Sequence, residues 1–102
     1  MLYQQGDVLI ESVEAIPPNA LPRARRNGRH ILAEGEATGH AHAVADDIEV
    51  FESAGVLYCR AAAPFTVRHE EHKPITVPPG VYQVRRVRVY DHFSDEALAA
   101  AD

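Results

Sequence analysis

The chain has 102 residues, the size of one domain, and is 46% hydrophobic and 25% charged, as an ordinary globular protein is. Its formal net charge of −5 removes any global attraction to nucleic acid or an anionic membrane, although nine of its ten basic residues are arginines, which can grip a local anion. A lone cysteine, Cys59, excludes an internal disulfide scaffold. No apolar run approaches the roughly 18 residues of a membrane span, and Met1 to Asp7 lacks the features of a secretion signal, so a cytosolic protein is expected.

In chain order, Gly6-Asp7 is a turn signal and Val8 to Val13, rich in branched residues, reads as the first strand. Three prolines between Ile16 and Pro22 forbid a helix and suit an extended loop. Asn27-Gly28 is a two-residue turn signal set among arginines, and it leads into His30-Ile31-Leu32-Ala33. Arg23 to Arg29 reads as a solvated basic turn, with a phosphate-binding arm as the other reading. Next comes an expected meander: a strand from His40 to Ala45, a turn at Asp46-Asp47, a strand from Ile48 to Ser53, a turn at Ala54-Gly55 and a strand from Val56 to Ala61. With two-residue loops, His42 falls opposite Phe51, Phe51 opposite Tyr58, and Glu49 opposite Arg60. The face carrying Ala41, Ala43, Ile48, Val50, Leu57 and Cys59 is apolar and should meet the core.

Phe65, Val67 and His69 share one face of the following strand, and Pro74 argues against a helix through Glu70 to Lys73. Ile75 to Val77 is a short strand, and Pro79-Gly80 suits the centre of a type II turn. In Val81 to Tyr90 the apolar phase shifts, as it does at a bulge near Arg85-Arg86 or a crossing between sheets. Phe93 to Ala100 reads as a short helix capped by Ser94. The sum is a single all-β domain over 1–102, a small barrel or sandwich of about eight short antiparallel strands with a short C-terminal helix.

The chemistry concentrates in Glu34 to Val44, which packs two carboxylates, two glycines and two histidines into eleven residues. On a strand, His40 and His42 leave the same face. Two imidazoles are half of a metal site, and a catalytic zinc typically takes three protein ligands and leaves one position open. His69 is the expected third ligand, with His72 next, and Glu36 is the expected carboxylate ligand or general base. The cofactor expected is a divalent metal ion, zinc or iron. His69-Glu70-Glu71-His72 is not the helical zinc motif, because its histidines are three residues apart rather than four. Cys59, on the core face, reads as a small hydrophobe.

Gln5-Gly6-Asp7-Val8-Leu9, Glu34-Gly35-Glu36-Ala37-Thr38-Gly39-His40-Ala41-His42, and His72-Lys73-Pro74-Ile75 with Pro79-Gly80-Val81-Tyr82 resemble a family of small bacterial proteins without an established function. That resemblance implies no activity. More distantly, the H-x-H followed by a later P-x-G-like turn is similar to cupins, in which His40 and His42 would match the two motif histidines. The glutamate that cupins carry shortly after H-x-H is absent here.

The function expected is that of a metal-binding protein, with a small hydrolytic or oxygen-using metalloenzyme acting on a small molecule as its catalytic form. The alternative is a non-catalytic module that binds a partner protein or a second copy of itself. Neither nucleic acid nor membrane is an expected partner.

Overall fold

The computed structural model describes residues 1–34 and 39–87. Among these, every regular element is a strand. β1 (Leu2–Gln5) and β2 (Val8–Ser12) form a hairpin across Gly6-Asp7, with Gly6 at φ 57°. β3 (Leu21–Pro22) is a two-residue edge strand at the end of the proline-rich loop. β4 (His30–Glu34) pairs with β5 (Ala41–Val44). β6 (Glu49–Ser53) and β7 (Val56–Ala61) form the second hairpin, β8 (Phe65–Val67) and β9 (Ile75–Val77) the third, and β10 (Gly80–Arg86) ends the described chain.

Six strands form one antiparallel sheet in the order β1-β2-β10-β7-β6-β3, while β4-β5 and β8-β9 are separate two-stranded sheets. The large sheet buries one face. Val8 and Ile10 of β2, Tyr82 and Val84 of β10, Cys59 and Ala61 of β7 and Val50 of β6 meet Leu32, Val44, Phe65, Val67 and Val77 of the two hairpins in one core. Strand alternation explains the choice of residues: in β10, Tyr82 and Val84 are buried while Val81 and Gln83 between them are only half-buried and Arg85 is exposed. Burying a side chain the size of Phe65 or Ile10 contributes about 1.5–3 kcal/mol. Burial also pushes the Cys59 thiol up to about 12, as expected of a small hydrophobe on the core face.

The second half of the expected meander forms in the expected register, with Phe51 opposite Tyr58 and Glu49 opposite Arg60. Ala54 (φ 51°) and Gly55 (φ 79°) make its turn, and both positive values are those of a type I′ loop. The first half does not form. β5 pairs with β4 rather than β6, so His42 lies opposite Ala33 and not Phe51. The reason lies at Asp46. Its carboxylate accepts the Thr66 amide at 2.7 Å, and Arg25 donates to the carbonyls of Ala45 and Asp46. The chain is thereby pinned as a corner between layers instead of folding back on itself.

Other expectations shift as well. Gly80 stands at φ 155°, away from the roughly +80° of a type II turn, and the chain passes from β9 into the large sheet. β10 keeps an unbroken register with β2 through Arg86, and the irregularity lies in β4 between Ile31 and Ala33. The helix expected over 93–100 lies outside the described residues.

Candidate functional site

Backbone pairing brings the histidines together. Ala43 and Arg68 exchange both amide hydrogen bonds at 2.9 Å, which lays the chain after β8 alongside β5. His42 and His69 thereby come within 4.3 Å, ring centre to ring centre. His72 lies 4.7 Å from His69 and 5.7 Å from His42, nearly parallel to the latter. His40 meets His69 edge-on at 5.8 Å and has its Nδ1 3.7 Å from Glu71. The four histidines expected from the sequence therefore form one cluster. Glu70 ties the connection down by accepting the Ala41 amide at 2.8 Å, which holds its carboxyl below the usual range.

His42 is the buried centre, at 3% exposure. Its Nδ1 lies 2.8 Å from Gln5 Oε1. Gln5 Nε2 donates to both Val67 O and Lys73 O at 2.9 Å, so its amide orientation is fixed and Oε1 can only accept. The network therefore assigns the His42 proton to Nδ1 and leaves a lone pair on Nε2. That Nε2 faces Asp7 Oδ1 at 3.5 Å, while the other oxygen of Asp7 accepts from Arg86 at 2.8 and 3.1 Å. Burial lowers the His42 pKa to about 4, aided by His69 and opposed by Asp7, so the ring is neutral near pH 7.

An unprotonated nitrogen thus lies 3.5 Å from a carboxylate oxygen. A bridging water, with two hydrogen bonds of about 2.8 Å, would hold the two atoms roughly 4.6 Å apart. Two ligands on one tetrahedral ion, each about 2.0–2.2 Å from it, stand about 3.4 Å apart. The observed 3.5 Å matches the second arrangement.

The rest of the cluster is not arranged round a common point. Among the described residues, no three His, Cys, Asp or Glu side chains stand ready to hold an ion. His69 gives one reason. Its Nδ1 accepts the Glu71 amide at 3.0 Å, which leaves the proton of the neutral ring on Nε2. Ligation through Nε2 requires that bond to break and the proton to move. His72 packs its Nε2 over Gly6, where an added Cβ would sit only 2.6 Å away.

Gln5 and Asp7 were missed as site residues. The available signal was the quoted Gln5-Gly6-Asp7 turn together with a polar residue, Gln5, in phase with Tyr3 on what becomes the buried face of β1. Glu36, expected as base or ligand, lies outside the described residues. Glu49 pairs with Arg60 at 2.8 Å in a different sheet, away from the histidines. His30 stands apart from the cluster, its Nε2 donating to Ile48 O at 3.0 Å.

Fold and site together define a small antiparallel all-β protein with a four-histidine cluster where the β1–β2 turn, β5 and the β8–β9 connection meet. The chain belongs to the family described as Domain of unknown function (DUF8820), which matches residues 4–87. No curated protein and no solved structure matches it. No helix among the described residues is long and apolar enough to cross a membrane.

Proposed function

We propose that this protein binds one divalent transition-metal ion, zinc or iron, at the histidine cluster. The observation that carries this reading is the neutral His42 Nε2 facing Asp7 Oδ1 at a separation suited to two ligands of one ion. Gln5 supplies the outer hydrogen bond that fixes the tautomer of a ligating imidazole. His69 is the third ligand, with His72 next to it, and His40 stands at the rim beside Glu71. Binding is coupled to a rearrangement of 69–73, because His69 must release the Glu71 amide.

An ion with an open position would support hydrolytic or oxygen-using chemistry on a small molecule in the cytoplasm, with Glu36 as the candidate base. Metal analysis of tag-free protein tests the binding step. Wild type should carry close to one ion per chain, and His42→Ala should lose most of it. Equal content in the two proteins would overturn the proposal.

A second reading rests on a separate observation. Leu2 on β1 and Leu21 on β3, the two edges of the large sheet, are 55% and 71% exposed. Exposed edges favour pairing with another chain. Light scattering of wild type and a Leu2→Lys, Leu21→Lys protein tests this: a dimer that the double variant abolishes supports the oligomeric module, and a monomeric wild type removes it.

A further inference from the structure

The arginine-rich turn does more than offset the charge of an acidic chain. Arg23, Arg25 and Arg26, with His30, Ile31 and Val50, line a cleft of about 230 Å³. We infer that this cleft is a binding site for a small phosphate monoester, its phosphoryl group held by the arginines and its organic body resting on Ala24 and Ile31.

The three guanidinium groups differ in how they are held. Arg25 is fixed by carbonyls alone, donating to Gly28, Ala45 and Asp46 at 2.6–3.1 Å. Among the described residues its nearest carboxylate, on fully exposed Asp47, is 3.9 Å away. Carbonyl oxygens orient a guanidinium without cancelling its charge, so Arg25 is a preset cation. Arg23 and Arg26 pair with Glu52 at 3.7 Å and Glu34 at 3.0 Å, with all four side chains well exposed. Exposed pairs of this kind are worth about 0–1 kcal/mol, so an oxyanion able to accept two parallel N–H bonds displaces them readily.

His30 borders the cleft with its Nε2 proton committed to Ile48 O. Its pKa is lowered by burial and then by Arg25 and Arg23, which reports the positive field that an anion would enter. The remaining wall is apolar, from the exposed Ala24 and the half-buried Ile31, with the core residue Val50 closing its base. A bare ion would leave this wall uncovered. At 230 Å³ the cleft is smaller than the roughly 300–1,000 Å³ of drug-sized sites. A small organic phosphate fits both the volume and the division into cationic rim and apolar floor. The site is separate from the histidine cluster and does not depend on a metal there.

The test is an NMR titration of the full chain with phenyl phosphate and with inorganic phosphate at millimolar concentration, following backbone amides and the His30 ring. Expected are saturable shifts confined to 23–31 and Val50, a rise in the His30 pKa on saturation, and tighter binding of phenyl phosphate than of inorganic phosphate. Arg23→Gln with Arg26→Gln should weaken binding about tenfold or more. Arg60→Gln with Arg85→Gln removes the same charge from arginines outside the cleft and should leave binding unchanged. All four arginines are exposed and none anchors the core, so both proteins should keep the fold. Absence of saturable shifts, or equal weakening by the two double substitutions, would overturn the proposal. Equal affinity for the two phosphates would overturn the role given to the apolar floor.

Discussion

Two buried histidines sit on the paired strands β4 and β5, and their surroundings are opposite. His42 gives its Nδ1 proton to the Gln5 side chain and turns its free nitrogen toward a carboxylate. His30 gives its Nε2 proton to the Ile48 carbonyl and lies among arginines. Burial lowers both pKa values, so both rings are neutral near pH 7. Burial alone therefore does not distinguish them. The neighbours do: the pair His42 and Asp7 invites a cation, whereas the arginines round His30 invite an anion. One small sheet thus carries two chemically opposed sites from the same residue type.

The comparison breaks most readily at Gln5, which fixes the His42 tautomer and satisfies Val67 O and Lys73 O. Gln5→Ala should cost about 2–4 kcal/mol, because two carbonyls and a ring N–H lose their partner. The melting temperature should fall by roughly 10–20 °C. A fall of only a degree or two would mean that the amide does not organise the site.

A pH profile of stability sharpens the comparison. Each histidine has a folded pKa below its unfolded value of 6.5, so between the two the unfolded chain binds more protons. The share each ring contributes is full above about pH 6.5 and is lost as pH falls through its folded pKa, which for His42 is about 4. With His42 lowered to about 4, its share is at most about 3 kcal/mol. Asp7, His69, His72 and Arg86 all face this ring and set the size of the effect. Denaturant titrations should show a flatter acid limb in His42→Gln than in His30→Gln. The reverse order would exchange the roles assigned to the two rings.

Gly6→Ala tests how closely the cluster is packed. Its left-handed backbone and the nearby His72 ring leave no room for a methyl group. A cost of about 1–2 kcal/mol is expected, with weaker metal retention in the same protein. A fully stable variant with unchanged metal content would remove His72 from the site. The smallest effect is reserved for a position outside the histidine cluster and the cleft. Ala54 occupies a left-handed conformation in the β6–β7 turn, so Ala54→Gly should stabilise by up to about 1 kcal/mol and leave both sites alone. Altered metal or phosphate binding in that variant would show the two sites to be coupled through the sheet.

The sequence made the all-β class legible through its short branched strands and turn signals. It also made the Ala54-Gly55 hairpin and its register legible, because two-residue loops leave no freedom in the pairing. The Asp46 corner was not legible. Asp-Asp reads as a turn, and only the distant Thr66 amide and the Arg25 guanidinium decide that it is a corner. The histidine cluster was legible as residue types and strand phase. Gln5 and Asp7 were not, since their part depends on the long-range contacts of Gln5 with Val67 and Lys73 and on the approach of β5 to the β1–β2 turn. The cleft round His30 was legible as charge alone, because its floor comes from β4 and β6, which are remote in sequence.

The most direct measurement of the central claim is calorimetric titration of metal-free, tag-free protein with zinc at pH 7. One ion per chain should bind to wild type and to His30→Ala with similar affinity. Binding should weaken about tenfold or more in Asp7→Asn and be lost in His42→Ala. Undiminished binding in His42→Ala, or loss in His30→Ala equal to that in His42→Ala, would contradict the account.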